Sequence, residues 1–210
     1  MDLLTIALSK GRILKETLRL FKKMGLNFDD IREDSRKLVF EYRDCGMRLI
    51  LAKPADVPTF VEHGVSDLGI AGKDVLLEDK KDVFELMDLE LAQCRMVVAA
   101  PEGRDPMVPI YKVATKYPRI AENFFLKKTQ PVEIIKLNGS VELAPLLGLS
   151  DAIVDIVATG NTLRENRLKV EEEICLISAR LIANQVSYRL KSSMIADFIE
   201  KIESAKKERF

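Results

Sequence analysis

The sequence predicts a two-lobed α/β protein whose sheets are mostly parallel. Short β-branched runs alternate with amphipathic stretches along nearly all of its 210 residues, a pattern typical of parallel sheets covered by helices. Hydrophobic residues make up 47% of the chain and charged residues 31%, a balance that allows a buried core. No Ser/Gly-rich linker separates the two series of elements, so the long β-prone segments 85–100 and 170–183 are the expected crossings between lobes.

The first series of elements ends near residue 89. An apolar run predicts a strand at 3–8, and the helix after it ends at Gly25, since glycine terminates helices readily. The buried face of this helix is expected to hold Ile13, Leu14, Thr17, Leu18, Phe21 and Met24. Pro58 suits the first turn of a short helix at 57–62. Alternating or β-branched runs predict strands at 37–42, 47–52, 67–71 and 83–89.

The second series begins near residue 95. β-branched runs predict strands at 95–99, 111–115, 132–137 and 152–157, followed by a long β-prone stretch at 170–183. Helices are predicted at 118–127 and 140–147, the second with Ser140 as its N-cap. A last helix is predicted at 186–207, and its buried stripe consists of Leu190, Met194, Phe198, Ile199 and Ile202. We expect one lobe to contain 1–91 with 177–210, and the other 92–176, with a ligand-binding cleft between them.

Charge and composition exclude several functions. The 33 Lys and Arg residues balance the 33 Asp and Glu residues, which argues against a nucleic-acid or membrane-surface binder. No apolar run approaches the roughly 20 residues that span a bilayer. The N-terminus has no basic leader, and we therefore expect a cytoplasmic protein. The odd, widely spaced Cys45, Cys94 and Cys175 fit neither a disulfide framework nor a zinc site.

Two features near the third and fourth strands have structural explanations. His63 follows the predicted 57–62 helix, where a cation near the helix C-terminus is a simpler explanation than catalysis. Gly69 and Gly72 flank a strand end, where glycine permits either the approach of a ligand or close helix–sheet packing.

The sharpest local pattern is the turn after the strand at 152–157. Ala158, Thr159, Gly160, Asn161 and Thr162 would present backbone N–H groups and hydroxyls to one point, which suits a phosphate. Asp155, on the strand before the turn, could accept hydrogen bonds from sugar hydroxyls or assist a metal. The alternative is an ordinary strand–turn–helix with Asn161 or Thr162 as the N-cap.

A second pattern is the Ser9-Lys10-Gly11-Arg12 turn after the first strand. Cations are unusual at a helix N-terminus because they oppose the helix dipole, and a bound anion would remove that conflict. A solvated pair on an exposed turn is the alternative. Glu142 and Arg36 are weaker candidates, for a ribose and for a phosphate or base respectively, since a first-turn dipole role and a surface arginine also explain them.

Four motifs in this order resemble the ATP phosphoribosyltransferase family, the first enzymes of histidine biosynthesis. The motifs lie at 6–12, at 56–58 with 67–72, at 137–142 and at 155–163. The resemblance implies a fold similar to type II periplasmic binding proteins, with the active site in the cleft between lobes. It implies that N1 of the adenine of ATP displaces pyrophosphate from the anomeric carbon of phosphoribosyl pyrophosphate, with Mg²⁺ on the substrate phosphates and no direct metal ligand assigned.

The resemblance also implies roles for residues. The loop of Ala158, Thr159, Gly160, Asn161 and Thr162 would bind the 5-phosphate of phosphoribosyl pyrophosphate, with Asp155 and Glu142 near its ribose. The residues that would bind pyrophosphate or the ATP phosphates are Lys10, Gly11, Arg12, Arg36 and Lys53, and catalysis is assigned to Lys10, Arg12, Lys53, Glu142 and Asp155. Lys53 stands where similar sequences often carry Arg, so the bidentate fork is lost there. Ala158 stands where many relatives have a polar residue.

The length suggests the short form of this family, which lacks a C-terminal regulatory domain. Such chains work with a regulatory subunit similar to histidyl-tRNA synthetase, and we expect a homodimer within a larger hetero-oligomer. A non-catalytic binding protein with the same fold is the chief alternative, because fold does not fix function. A phosphoribosyltransferase with another base acceptor is the second.

Overall fold

The computed structural model describes residues 3–32 and 35–207, and the chain divides into two compact units. Unit 1 contains Met1–Ala92 and Ser178–Phe210, and unit 2 contains Gln93–Ile177. The chain therefore enters unit 2 after Ala92 and leaves it before Ser178. Each unit has its own sheet and its own hydrophobic core.

The described residues form eleven strands and eight α-helices. The strands are β1 (Leu4–Ser9), β2 (Val39–Tyr42), β3 (Met47–Ala52), β4 (Leu68–Gly72), β5 (Phe84–Asp88), β6 (Cys94–Pro101), β7 (Lys112–Thr115), β8 (Glu133–Lys136), β9 (Ala152–Val157), β10 (Leu168–Ile177) and β11 (Ala179–Ala183). The helices are α1 (Arg12–Lys23), α2 (Val57–Glu62), α3 (Lys73–Asp79), α4 (Pro118–Lys127), α5 (Leu143–Leu146), α6 (Asn161–Glu165), α7 (Gln185–Leu190) and α8 (Ser192–Lys207). Short 3₁₀ turns lie at Arg43–Cys45 and Pro54–Asp56.

The sheet of unit 1 has the strand order β2-β3-β1-β4-β11-β5. Its central strand β1 runs parallel to both β3 and β4, with Ser9 opposite Ala52 and Leu8 opposite Ile70. All six residues of β1 are buried, as expected of a strand covered on both faces. The carboxyl ends of β1 and β3 therefore lie side by side at one edge of the sheet.

The sheet of unit 2 has the strand order β10-β6-β9-β7-β8. Strand β7 runs parallel to β8 and β9, with Thr115 opposite both Lys136 and Val154. The Thr115 hydroxyl donates to Val154 O at 2.6 Å and accepts from Tyr117 N at 2.8 Å, which holds the chain where it leaves β7. The carboxyl ends of β7, β8 and β9 thus share one edge of this sheet.

The predicted α/β class is confirmed, but the prediction of mostly parallel sheets is wrong, because five of the nine strand pairings among the described residues are antiparallel. Most elements lie where the sequence places them. Strands β3 and β9 and helices α2 and α4 have the predicted bounds. Helix α3 was not predicted. The 170–183 stretch is two strands in two sheets, and the last helix is two helices with a break at Lys191.

The predicted helix at 140–147 is wrong over its first turn. The residue before α5 is Glu142, and Ser140 has a left-handed backbone with φ 48° rather than an N-cap conformation. Pro145 gives the physical reason, because it has no N–H to bond the carbonyl of residue 141. A helix that begins at Leu143 places this proline in its first turn, where no such bond is needed.

The packing role of Gly69 is also decided by the structure. A Cβ on this residue would lie 2.6 Å from Val61 Cγ2 and 3.0 Å from Val57 Cγ1, closer than side chains pack. The absence of a side chain therefore lets α2 lie directly on β4. His63 lies at the C-cap of α2, with its Nε2 3.9 Å from Glu62 Oε2.

A buried carboxylate ties the last helices to the sheet of unit 1. Asp67 accepts hydrogen bonds from Thr5 N at 2.8 Å, from the Ser187 hydroxyl at 2.7 Å and from Lys191 Nζ at 2.7 Å. The Asp67 side chain is only 8% exposed, so all three donors rely on a carboxylate that water cannot replace.

Replacing this carboxylate is expected to destabilise the fold. Asp67→Ala leaves the buried Thr5 N–H without its acceptor and removes the carboxylate that pairs with the Lys191 ammonium, and we expect the free energy of unfolding to fall by about 3 kcal/mol. Urea denaturation followed by circular dichroism measures this, with Asp197→Ala on the exposed surface of α8 as the control. Equal stabilities of the two variants would show that the cluster contributes little.

Candidate functional site

The first group of candidate residues lies at the carboxyl edge of the unit 1 sheet. Lys10 N donates to Ala52 O at 3.0 Å, so Lys10 and Lys53 leave neighbouring parallel strands at the same level. Lys10 Nζ donates to Ser35 O at 3.3 Å, next to the exposed Arg36. The structure therefore brings Lys10, Arg36 and Lys53 to one edge of the sheet. We call these three residues, together with Arg12, the cationic edge.

The turn that begins α1 allows a ligand to approach the backbone closely. Gly11 has φ 91° and ψ −145°, a conformation that residues with a Cβ rarely adopt. No side chain caps α1, and its first turn contains no acidic residue. The positive end of this helix thus lies beside Lys10 and Arg12, and its first turn has no carboxylate to balance these charges. An anion would therefore be favoured there.

The guanidinium of Arg12 is hydrogen-bonded to Ala92, the last residue of unit 1 before the chain enters β6. Its Nη2 donates to Ala92 O at 2.5 Å. The Ala92 N–H in turn donates to Glu16 Oε2 at 2.7 Å. Sequence reasoning singled out neither Glu16 nor Ala92, because the two residues lie 76 positions apart along the chain.

The second group of candidate residues follows β9 in unit 2. Gly160 has φ 77° and precedes the first residue of α6, with no side-chain cap at this position. Asn161 N lies 3.5 Å from Thr159 Oγ1, at the limit of a hydrogen bond. Asn161 and Thr162 lie inside α6, so the alternative in which one of them is the N-cap is wrong.

The side chains of this loop are accessible. Ala158, Thr159, Asn161 and Thr162 are exposed, and Gly160 is half-buried. Arg164 donates to Asn161 Oδ1, which orients the amide across the first turn of α6. Two hydroxyls and the backbone N–H groups of a tight turn are therefore presented at one strand end, as anion-binding turns require.

Two carboxylates accompany this loop at the same edge of the unit 2 sheet. Asp155 is half-buried on β9, two residues before the strand ends, and Glu142 is half-buried at the N-terminus of α5. Asp155 lies on β9, whereas Glu142 follows β8, and β7 lies between these two strands in the sheet. Lys116, which sequence reasoning did not single out, is exposed directly after β7 and therefore lies between these loops.

Among the described residues, Asp88 is a carboxylate whose pKa is shifted by its surroundings. Burial raises the pKa of Asp88, but hydrogen bonds from the Ser178 hydroxyl and Glu90 N and the charges of Arg180 and Lys206 leave that pKa below its usual value.

No group of three or more His, Cys, Asp or Glu side chains among the described residues is placed to hold a metal ion. No helix in the same part of the chain is long and apolar enough to cross a membrane.

Comparison with known proteins gives one family. The family model described as HisG: ATP phosphoribosyltransferase matches residues 53–204. An ATP phosphoribosyltransferase of Caldanaerobacter subterraneus subsp. tengcongensis is 54% identical over 203 residues, which are 96% of this chain and 97% of that protein. One of Bacillus subtilis is 50% identical over 200 residues, with coverage of 95% and 94%.

Solved structures agree with the sequence relatives. A chain of the ATP phosphoribosyl transferase (HisG:HisZ) complex from Thermotoga maritima has a TM-score of 0.83 and 37% identity, covering 98% of this chain and all of that chain. The periplasmic aliphatic sulphonate binding protein SsuA from Escherichia coli has a TM-score of 0.62 at 12% identity, covering 98% of this chain and 72% of that one. This second likeness shows the fold alone, which is of the type II periplasmic-binding-protein kind.

Proposed function

Because the chain belongs to the HisG family of ATP phosphoribosyltransferases, we propose that the cationic edge and the loop after β9 are its substrate sites. The protein is a phosphoribosyltransferase that catalyses the first step of histidine biosynthesis. In this reaction N1 of the adenine of ATP attacks the anomeric carbon of phosphoribosyl pyrophosphate, and pyrophosphate leaves.

The loop at residues 158–162 is the proposed site of the 5-phosphate. The observation that carries this assignment is the uncapped turn at Gly160, with Thr159 and Thr162 exposed beside it. A phosphate there would accept hydrogen bonds from both hydroxyls and from the backbone N–H groups that no side chain caps. Ala158 contributes only its backbone to such a site.

The cationic edge is the proposed site of pyrophosphate or of the ATP phosphates. Lys10 and Lys53 leave adjacent strand ends, Gly11 allows the backbone to approach the ligand, and Arg36 lies beside the carbonyl that Lys10 contacts. The absence of an acidic residue from the first turn of α1 supports an anionic ligand. Lys53 supplies charge there but no bidentate contact.

Catalysis by these residues is mainly electrostatic. Positive charge develops on the ribose as the bond to pyrophosphate breaks, and the carboxylates of Asp155 and Glu142 would stabilise it. Lys10, Arg12 and Lys53 would stabilise the negative charge on the leaving group. No covalent nucleophile is required, and no general base is assigned, because adenine N1 carries no proton to remove.

The family uses a metal with its phosphate substrates, and we propose Mg²⁺. Mg²⁺ usually keeps several waters and binds through substrate phosphates, so it is proposed to lie on the substrate phosphates, with no direct protein ligand assigned. When bound, Mg²⁺ would neutralise part of the charge on the pyrophosphate.

The proposed setting is a complex with a second protein in the cytoplasm. The chain spans more than nine-tenths of its relatives, and the Thermotoga maritima chain that it matches comes from a complex with a second protein, HisZ. We therefore expect a regulatory subunit similar to histidyl-tRNA synthetase, with the chain as a homodimer inside the hetero-oligomer.

Pyrophosphate release tests the proposed function. With phosphoribosyl pyrophosphate, ATP and Mg²⁺ together, we expect release that requires both substrates and is changed by the regulatory subunit. Replacing ATP by other purine or pyrimidine nucleotides is the control for the base acceptor. Absence of release even with the regulatory subunit present would instead favour a binding protein with this fold.

A further inference from the structure

Two side chains near the start of α1 hold one residue that is distant in sequence by both of its backbone polar groups. Ala92 accepts from Arg12 Nη2 at 2.5 Å and donates to Glu16 Oε2 at 2.7 Å. Arg12 and Glu16 are four residues apart and therefore lie on the same face of the helix. We call these three residues the Ala92 clamp.

Ala92 needs these partners for two reasons. It is 7% exposed, and a buried backbone N–H left without an acceptor destabilises the fold. It also has φ 51°, a left-handed conformation that is unfavourable for alanine and persists only when its surroundings hold it. The Glu16 carboxylate is the acceptor that meets the first need and supports the second.

The segment before Ala92 is rigid, so the clamp has a fixed base. Leu89 and Leu91 are buried in the core of unit 1. Leu89 N donates to Ala179 O at 3.0 Å, and Ala179 N donates to Leu91 O at 2.9 Å. Ala92 is thus held by its own segment on one side and through its N–H by Glu16 on the other.

We propose that Glu16 is a positioning residue that acts through Arg12. Glu16 fixes Ala92 through its N–H, the Ala92 carbonyl fixes one N–H of the Arg12 guanidinium, and the guanidinium is thereby held in one orientation for the leaving group. An arginine side chain loses rotamer freedom when it is ordered, and the clamp orders it before substrate arrives. This inference rests on the proposed role of Arg12 in stabilising the leaving group.

A double-mutant cycle tests whether Glu16 acts through Arg12. In steady-state pyrophosphate release by the full chain with its regulatory subunit, we expect Glu16→Ala to lower kcat about tenfold, because small misplacements of catalytic groups cost this much or more. The KM for phosphoribosyl pyrophosphate should change by less than about twofold, since Arg12 is proposed to act on the charge that develops on the leaving pyrophosphate in the transition state and not on binding of the substrate. In an Arg12→Ala background, Glu16→Ala should have no further effect on kcat.

Conservative and control variants separate positioning from general damage to the fold. Glu16→Gln keeps an oxygen that can accept from Ala92 N and should retain kcat within about threefold of the parent. Arg19→Ala, exposed on the same helix, should leave kcat unchanged. Amide hydrogen exchange at Ala92 should be faster in Glu16→Ala and parent-like in Glu16→Gln, which gives a readout independent of turnover.

Several results would overturn the inference. One is a full tenfold loss from Glu16→Ala in the Arg12→Ala background, because Glu16 would then act without Arg12. Another is a parent-like kcat in Glu16→Ala while Arg12→Ala is impaired, which would leave the proposed function intact. If Glu16→Ala does not fold, unchanged Ala92 exchange in Glu16→Asp, whose shorter side chain cannot reach, would also contradict the clamp. A parent-like kcat in Arg12→Ala would overturn both the clamp and the proposed role of Arg12, but it would leave the phosphate loop untouched.

Discussion

Lys10→Glu is expected to reduce kcat/KM for pyrophosphate release by at least about 100-fold. The backbone of Lys10 is held to Ala52 O and its ammonium to Ser35 O, so a glutamate would place a negative charge at the cationic edge. Loss of a single preorganised charge stabiliser typically costs about 10² to 10³ in kcat, and charge reversal adds repulsion of the pyrophosphate. Initial rates at varied ATP and phosphoribosyl pyrophosphate measure the effect.

The matched control for this variant is Arg19→Glu. It makes the same change in net charge on an exposed position of α1, and the rate should remain within about twofold of the parent, because exposed charges at a distance are screened. Thermal denaturation of both variants checks that the fold is intact. A parent-like rate for Lys10→Glu would return Lys10 and Arg12 to the alternative of a solvated pair on a turn.

Thr159→Val with Thr162→Val is expected to weaken phosphoribosyl pyrophosphate binding at least about 100-fold. Valine has nearly the shape of threonine but cannot donate to the phosphate, and hydrogen bonds to charged groups contribute about 1.5–3 kcal/mol each. Both residues are exposed and no side-chain cap of α6 depends on them, so stability should change little. Isothermal titration calorimetry with phosphoribosyl pyrophosphate gives the dissociation constant.

The control for the double variant is Thr59→Val, on helix α2 in unit 1. It removes one hydroxyl by the same substitution and should bind phosphoribosyl pyrophosphate as the parent does. The assignment of the loop to the 5-phosphate would be wrong if the double variant kept its affinity while circular dichroism showed a folded protein. Loss of ATP binding together with phosphoribosyl pyrophosphate binding would indicate a wider structural effect instead.

Local chemistry explains the elements that were predicted correctly. The strands β3 and β9 and the start of α4 at Pro118 depend on residue types within a few positions. A pattern of hydrophobic residues or a proline is therefore sufficient to predict them. The same holds for Gly11 and Gly160, whose positive φ angles suit the turns at two strand ends. The family motifs were likewise read from contiguous residues.

Contacts between distant residues explain what was missed. The 170–183 stretch is β-prone and contains no Gly or Pro to mark a break, and only pairing shows that Leu168–Ile177 joins β6 while Ala179–Ala183 joins β4 and β5. The break at Lys191 coincides with its bond to Asp67, 124 positions away. Periodicity along the chain contains no information about such partners.

The sequence by itself determined the α/β class, the family and the two turns that are proposed to bind phosphates, because each depends on short runs of residues. Only the tertiary structure decided that Lys10 and Lys53 leave adjacent strands, that Ser140 is not a helix cap and that Glu16 and Arg12 hold Ala92. These features depend on strand register and on which buried polar groups find a partner. Both are settled only when distant segments pack together.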